Sequence, residues 1–466
     1  MSSTEITEPT TSERNAAPPT SAGREGFWAQ WQAYLFTEVD GASLAVFRVV
    51  FSGLIAWEVV RYFANHRIQR YYMEPQFFFS YVDFIKPWGG QGMIWHFIVL
   101  GVCAALCAVG LFYRVAAAIC GAALTYVFLL DKTEYLNHLY LCSLLGLLLA
   151  FIPAHRVGSL DRLWALRRAE RSGTAPPGEG VPRWALLLLR LQVALVYFFG
   201  GIAKINGDWL AGRPLDMWLP ARAHMPIIGP ILAQPGIPLA VAHAGLLIDL
   251  SVPFLLFSRR GLPWGIAIAT LFHLANAIIF KIGIFPFVMI GALALFPDPS
   301  WPRRLLRQPP AVLHEGPRVP RSVPRRLILV ALHGYLLLQF VMPLRHWRHP
   351  GDVAWNELGH RFSWRMKLRN KKVKKLQIYM VDPETGAREK VDPKALLTQR
   401  QVREMGTKPD MLVDFAHLIA DRQQAAVGVR PIVRAKVQVS LNGHPPASLV
   451  DPKEDLASVP RGFVRP

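Results

Sequence analysis

Two short stretches hold the residues best suited to proton chemistry, and each lies where an apolar run meets a polar one. The first reads Val196-Tyr197-Phe198-Phe199-Gly200-Gly201-Ile202-Ala203-Lys204 and continues through Asn206, Gly207, Asp208 and Trp209. A lysine in that place can reach either water or a pocket. On a helix Gly200 lies one turn below Lys204 and Tyr197 two turns below, leaving a gap on the lysine's face in which a flat ligand could lie. The same position suits a snorkelling interfacial lysine with no further role.

The second stretch, Asp131-Lys132-Thr133-Glu134-Tyr135-Leu136-Asn137-His138, leads into another apolar run. Glu134 and His138 stand one turn apart, a spacing that serves a structural carboxylate and imidazole pair as well as it serves catalysis. By topology His138 and Lys204 share one membrane face.

Ionisable groups also occur inside apolar runs, where they are costly and mark pairing or functional sites. Arg190 and Asp249 fall at similar depth in two runs of opposite direction, so a buried salt bridge is expected, with Arg48 as a competing partner for Asp249. His273 and Asn276 lie one turn apart on one face of a further run. With no second histidine or carboxylate at ligand spacing, they are expected to bond neighbouring helices, and no metal is expected.

These groups must be positioned by apolar helices. The chain of 466 residues is 52% hydrophobic and only 18% charged, with mean hydropathy +0.25. That balance excludes an ordinary cytosolic enzyme, a disordered chain and a collagen-like fibre. About nine apolar runs approach the ~20 residues that cross a hydrocarbon layer. They are Ser43–Tyr62, Gly92–Tyr113, Ala116–Leu130, Tyr135–Ile152, Trp184–Ala203, Ile237–Phe257, Leu262–Phe280, Ile284–Phe296 and Leu327–Met342, of which the third and eighth are short. The fold expected is an all-α polytopic membrane domain of about nine transmembrane helices, residues 42–343, followed by a small α+β extramembrane domain, residues 344–466.

The net charge of +20 has a membrane explanation rather than a nucleic-acid one. Arg114, the group from Arg156 to Arg183, Arg259 with Arg260, and Arg303, Arg318, Arg321 and Arg326 fall in alternate connections. The connections around Asp131–Glu134 and near Lys281 are poorer. The positive-inside rule then places the amino terminus in the cytoplasm and the carboxyl-terminal domain outside. Residues 1–41 lack the apolar core of a cleavable signal and read as a disordered tail, with an amphipathic entry segment at Phe27–Phe36. Cys103, Cys107, Cys120 and Cys142 all sit in apolar runs, as small buried residues. The tail domain shows a β-branched run at Val373–Val381, an Asp-Pro-Glu-Thr-Gly turn, a helix opening near Thr407 and Pro409, and alternation from Ile432 to Leu441 before Asn-Gly. Its segment Arg365–Lys375 holds seven basic residues, which fit a docking face for acidic peptides or a solvated surface equally well.

Several runs taken together are similar to the vitamin K-dependent gamma-glutamyl carboxylase family and its bacterial HTTM-domain relatives. They are Phe128-Leu129-Leu130-Asp131-Lys132-Thr133, Asn137-His138, Val196-Tyr197-Phe198, Lys204, Asp208-Trp209 and Leu247-Ile248-Asp249-Leu250-Ser251. Phe272-His273, Gly283-Ile284-Phe285, Pro299-Ser300-Trp301-Pro302-Arg303, Phe362-Ser363-Trp364 and Asp410-Met411-Leu412 continue the likeness in order, over about Ser43 to Asp451.

The resemblance implies a multi-pass enzyme of the bacterial inner membrane. Its Lys204 would deprotonate reduced vitamin K or menaquinol, with His138 assisting. O2 then adds, the oxygenated species takes a γ-proton from a glutamyl side chain of an exported polypeptide, CO2 adds to that carbon, and an epoxide leaves. A base of this kind must be uncharged, which burial promotes. Tyr197, Asn137, Asp131, Gly200 and His273 are the residues expected around the quinone, with Trp209 orienting the helix end. Two departures are visible: the tail has no cysteine to pair with an outer loop as in the animal enzymes, and Ala203 stands where some relatives carry a second lysine. The competing class is a non-enzymatic membrane binder or transporter with His273, Asn276, Arg190 and Asp249 along a polar path, although no inverted repeat is evident.

Overall fold

The computed structural model of the chain describes residues 26–280, 282–313 and 324–461. The start of the amino-terminal tail, Lys281, Arg318 and Arg321 lie outside the described residues. The entry segment is helical, α1 (Phe27–Phe36), and is followed by β1 (Glu38–Asp40), which pairs antiparallel with β2 (Gly180–Pro182).

Among the described residues, seven helices are long and apolar enough to cross a membrane. They are α2 (Ala42–Ala64), α3 (Gly92–Val109), α4 (Tyr113–Leu130), α7 (Arg183–Lys204), α8 (Ile237–Phe257), α9 (Leu262–Phe280) and α11 (Arg325–Val341), the last continued by a 3-10 stretch to Arg348. Two runs expected as spans are shorter: α5 (Asn137–Phe151) has 15 residues and α10 (Phe285–Leu293) has 9. The third run differs in the other direction. It becomes an 18-residue helix because Tyr113 and Arg114 belong to its first turn. Gly110 takes a left-handed φ of 67° to end α3, and the Asp161 carboxylate accepts from Phe112 N and Tyr113 N at 2.9 Å each, supplying the cap that α4 needs. Asp161 begins the surface helix α6 (Leu160–Arg171).

Close approach between helices rests on glycine. A Cβ on Gly121 of α4 would stand 2.8 Å from the backbone of Gly146 in α5, and one on Gly201 of α7 would stand 2.6 Å from Leu250 in α8. Helix α7 is central, with 67% of its apolar stretch buried against 17% for α9.

The two intramembrane arginines do not meet Asp249. Arg48, fully buried, donates to the carbonyls of Ala154 (2.8 Å), Val157 (3.3 Å) and Gly158 (2.5 Å). Arg190 donates to Leu295 O (2.6 Å) and Pro297 O (3.0 Å). Both cover carbonyls left open where α5 and α10 end, a need that outweighs pairing in a medium without water. The expected bridge from Arg190 to Asp249 is therefore absent.

The carboxyl-terminal domain is α+β. Strands β3 (Lys371–Val381), β4 (Arg388–Val391), β5 (Ile432–Leu441) and β6 (Ala447–Ser448) form an antiparallel sheet of order β4-β3-β5-β6. Val433, Ala435, Val437 and Val439 alternate inward from β5 onto Met411, Phe415 and Ile419 of α13 (Pro409–Val427), the long helix after α12 (Gln399–Met405). The Asp382 carboxylate accepts from Glu384 N and Thr385 N to shape the expected turn, and Asn442 and Gly443 turn the chain after β5 with positive φ.

This domain docks on the end of the bundle where α4 and α7 finish. Lys132 pairs with Asp414 (2.8 Å) and Arg400 holds both oxygens of Glu134 (2.5 and 3.0 Å), while Arg361 pairs with Asp410 (2.7 Å) within the domain. The pairing of Glu134 with His138 expected from spacing gives way to this joint. Burial would push the Asp410 carboxyl up, but the combined pull of Arg361, Lys132 and Lys408 holds it well below the usual carboxylate range. The basic run is likewise divided. Arg369 and Lys371 turn inward onto Glu357, while Lys372, Lys374 and Lys375 face solvent.

Two outcomes follow. A Gly121→Leu change, with no room at the α4 and α5 crossing, should cost about 1–3 kcal/mol or more in thermal unfolding, whereas Gly334→Ala, with open space around it, should not lower the melting temperature. Burial, exceeding the pull of Arg400, raises the Glu134 carboxyl to about 7. The folded state thus holds that proton more tightly than the unfolded chain, and its contribution is full below the ordinary glutamate value and lost as pH rises through about 7. Melting temperatures measured against pH should show wild type losing ground relative to Glu134→Gln across that window. A constant difference would contradict the assignment.

Candidate functional site

The site is built where α7 ends. Gly200 and Gly201 lack side chains, so α8 comes close enough for Asp249 to reach across. A Cβ on Gly200 would lie 3.2 Å from Asp249 Oδ2 and 3.6 Å from Met366. The gap expected for a flat ligand on the lysine's face is thus filled by a carboxylate and a thioether, and Gly200 serves helix approach instead.

Lys204 and Asp249 form a buried ion pair, 5% and 4% exposed. Lys204 Nζ also donates to Gly200 O at 3.2 Å and stands 5.3 Å from the centre of the Trp209 ring. Trp209 is fixed in turn: its Nε1 donates to Ala242 O at 2.8 Å, and the Asn206 side chain accepts from its backbone N–H at 3.0 Å, capping the single helical turn Gly207–Leu210. The lysine does not snorkel; it is held on three sides in a low-dielectric place.

Beside this pair lies a cavity of about 100 Å³. Its polar lining is Lys204, Asp249, His273, Asn276 and Tyr197, and its apolar walls include Phe272, Phe280 and Phe285. Tyr197 and His273 share a 2.6 Å hydrogen bond between the phenol oxygen and Nε2. His273 is 2% exposed, and its Nδ1 has no hydrogen-bond partner among the described residues. A buried polar atom of this kind costs free energy until something meets it.

Part of the cavity's lining comes from the other domain. The segment after α11 folds back so that Phe362 and Trp364 enter the core of the bundle, Trp364 fully buried and stacked on Tyr140 at 4.9 Å. Phe362, Trp364 and Lys367 all take left-handed φ values, which turn this segment tightly enough to present Met366 and Lys367 to the cavity. Lys367 Nζ stands 5.4 Å from the rings of both Trp218 and Phe280. Burial, and then the Arg222 charge, draw its amine below the ordinary lysine value.

Of the residues singled out in the sequence, Lys204, Tyr197, Trp209, Asp249, His273 and Asn276 converge on the cavity. His138 does not line it; its ring packs 6.0 Å from Phe285, behind the wall. Asn137 accepts from Tyr135 OH at 3.0 Å and donates to Arg365 O at 3.4 Å, and Asp131 accepts from Thr133 N (2.8 Å) and Gln401 Nε2 (3.1 Å). Both belong to the joint between domains. Asp249 as partner of Lys204, and Met366 and Lys367, were not anticipated. The glycine pair was a signal for the first, and nothing local signalled the others.

A paired amine and carboxylate, an imidazole whose Nδ1 has no partner among the described residues, and aromatic walls suit a mostly apolar, flat ligand with a few polar atoms, and proton transfer at one of them. A naphthohydroquinone fits this donor set: a ring system for the aromatic walls, and a hydroxyl for His273 Nδ1. Among the described residues no group of three His, Cys, Asp or Glu is placed to hold a metal ion.

Comparison with known proteins finds two family matches. Residues 36–301 match the HTTM domain, and residues 324–465 match the vitamin K-dependent gamma-carboxylase lumenal domain. No solved structure matches the chain.

The ion pair makes a thermodynamic prediction. Asp249→Ala strands a buried amine and should destabilise the protein by about 3–5 kcal/mol, whereas the double change Lys204→Met with Asp249→Leu should recover most of that loss. Unfolding of the single and double variants in detergent checks it, and strictly additive losses would contradict a coupled pair.

Proposed function

The chain belongs to the vitamin K-dependent gamma-carboxylase family, and we propose that it deprotonates a reduced naphthoquinone, vitamin K or menaquinol, in the cavity beside Lys204. That co-substrate, with O2, supplies the chemistry: its oxygenation to the epoxide provides the base that lets CO2 add to a glutamyl side chain of an exported polypeptide. The observation carrying the reading is the convergence of Lys204, Asp249 and His273, whose Nδ1 has no hydrogen-bond partner among the described residues, on one aromatic cavity.

The residues divide the work. His273 Nδ1 meets one hydroxyl, and Tyr197 fixes the orientation of the imidazole through Nε2. Lys204 and Asp249 accept the proton as a unit. Before the step the ion pair carries no net charge; with the proton added it is ammonium and carboxylic acid, with net charge +1 opposite the anion formed. The amine expected to stand alone thus works with a carboxylate. Trp209 holds the Lys204 stem, and the aromatic walls keep water out so that the charge is felt strongly. His138 supports the Phe285 wall as a positioning residue.

This multi-pass membrane protein is proposed to sit in a bacterial inner membrane with the carboxyl-terminal domain outside. Supporting that orientation, Arg114, Arg167, Arg168 and Arg171 gather at the bundle end opposite the domain. The transporter reading loses its path, because Arg190 is committed to Leu295 and Pro297 carbonyls.

The test is epoxide formation by the purified protein given reduced naphthoquinone. Lys204→Ala and Asp249→Asn should each lower the rate about 10²- to 10⁴-fold, the range for loss of a positioned acid or base. His273→Ala should lower it less. Equal rates in wild type and Lys204→Ala would end the proposal.

A further inference from the structure

At the bundle end opposite the carboxyl-terminal domain, α6 is fastened to the turn between α3 and α4. Asp161 N donates to Gly110 O at 3.0 Å, and the Asp161 carboxylate caps α4. The helix is therefore held beside the ends of two spans, at the depth where hydrocarbon gives way to headgroups.

Its outward face has two halves. Leu160, Leu163 and Trp164 are 38%, 49% and 50% exposed, and Phe112, 60% exposed, packs edge-on against Trp164 at 5.6 Å. Arg167 and Arg171 continue the same stripe at i+7 and i+11 from Leu160, with Arg168 beside them, while Ala169 faces the protein and is buried. All three arginines are exposed, and none has an ion-pair partner among the described residues. Arg162, on the other side, is committed to Glu179.

An apolar half with an aromatic pair, followed by three unpaired guanidinium groups, has the layout of a phospholipid read from chain to headgroup. We propose that this face of α6 is a binding site for anionic phospholipid. Arg167, Arg168 and Arg171 take the phosphate and its additional negative charge, and Leu160, Leu163 and Trp164 take the upper acyl chain. The site lies at the far end of the bundle from the cavity and is independent of the proposed reaction. A soluble polyanion would use the arginines but leave the apolar half in water.

Native mass spectrometry of the full-length protein in neutral detergent tests this with phosphatidylglycerol and phosphatidylcholine as probes. Wild type should retain phosphatidylglycerol at about tenfold lower lipid concentration than phosphatidylcholine. The triple variant R167Q, R168Q, R171Q should lose that preference while melting at the wild-type temperature in detergent alone. If it does not fold, R171Q by itself should show a partial loss. Trp164→Ala should weaken retention of both lipids. A triple variant, or R171Q standing in for it, with unchanged preference would overturn the proposal. So would unchanged lipid retention in Trp164→Ala, which would leave only a general anion patch.

Discussion

A charged pair with almost no exposure to water, Lys204 with Asp249, governs how this end of the molecule is built. Removing both groups from water costs several kcal/mol per ion, and the attraction between them offsets this only at close contact with further hydrogen bonds. Close contact requires α7 and α8 to approach as they can only where two successive residues have no side chain, at Gly200 and Gly201. The Gly200 carbonyl and the Trp209 ring then complete the surroundings of the ammonium. A pair held so tightly for packing alone would be replaceable by hydrocarbon. The pair stands beside a cavity lined by His273, whose buried Nδ1 has no partner among the described residues.

The carboxyl-terminal domain completes that cavity. Its first segment sends Phe362 and Trp364 into the bundle and adds Met366 and Lys367 to the lining. No cysteine is available in the tail, so the joint is noncovalent. Lys132 with Asp414 and Arg400 with Glu134 hold it across the two domains, and Arg361 with Asp410 ties the domain's first segment to its long helix. These pairs keep Met366 and Lys367 in register with the bundle while leaving the joint sensitive to protonation at Glu134.

What could be read from the sequence was local in origin. Lys204, its glycines and Trp209 lie within one continuous stretch, and helix periodicity sufficed to group them. The apolar runs marked the long helices, and alternation marked β5. Partner choice was not readable in the same way. Depth along a helix placed Asp249 level with Arg190, but depth does not say which way a side chain faces, and Arg190 turned to carbonyls at the end of α10 instead. The boundary between the second and third runs is displaced: Tyr113 reads as the end of the second and Arg114 as the break, when a distant Asp161 makes both the first turn of α4. Lys367 lay in a basic run whose members point in several directions, and only the left-handed turns around Trp364 decide which one reaches the cavity. His138 shares the expected face with Lys204 yet stops behind Phe285, a difference of one ring's thickness that no spacing rule resolves.

The central claim is that a naphthohydroquinone occupies the cavity with its hydroxyl between His273 and the Lys204 and Asp249 pair. A density map of the protein bound to a redox-inert naphthol analogue measures this directly. The account predicts the analogue's oxygen within about 3 Å of His273 Nδ1 and in reach of the pair, its rings between Phe272, Phe280 and Phe285. An analogue bound elsewhere, with His273 Nδ1 still unmet, would contradict it.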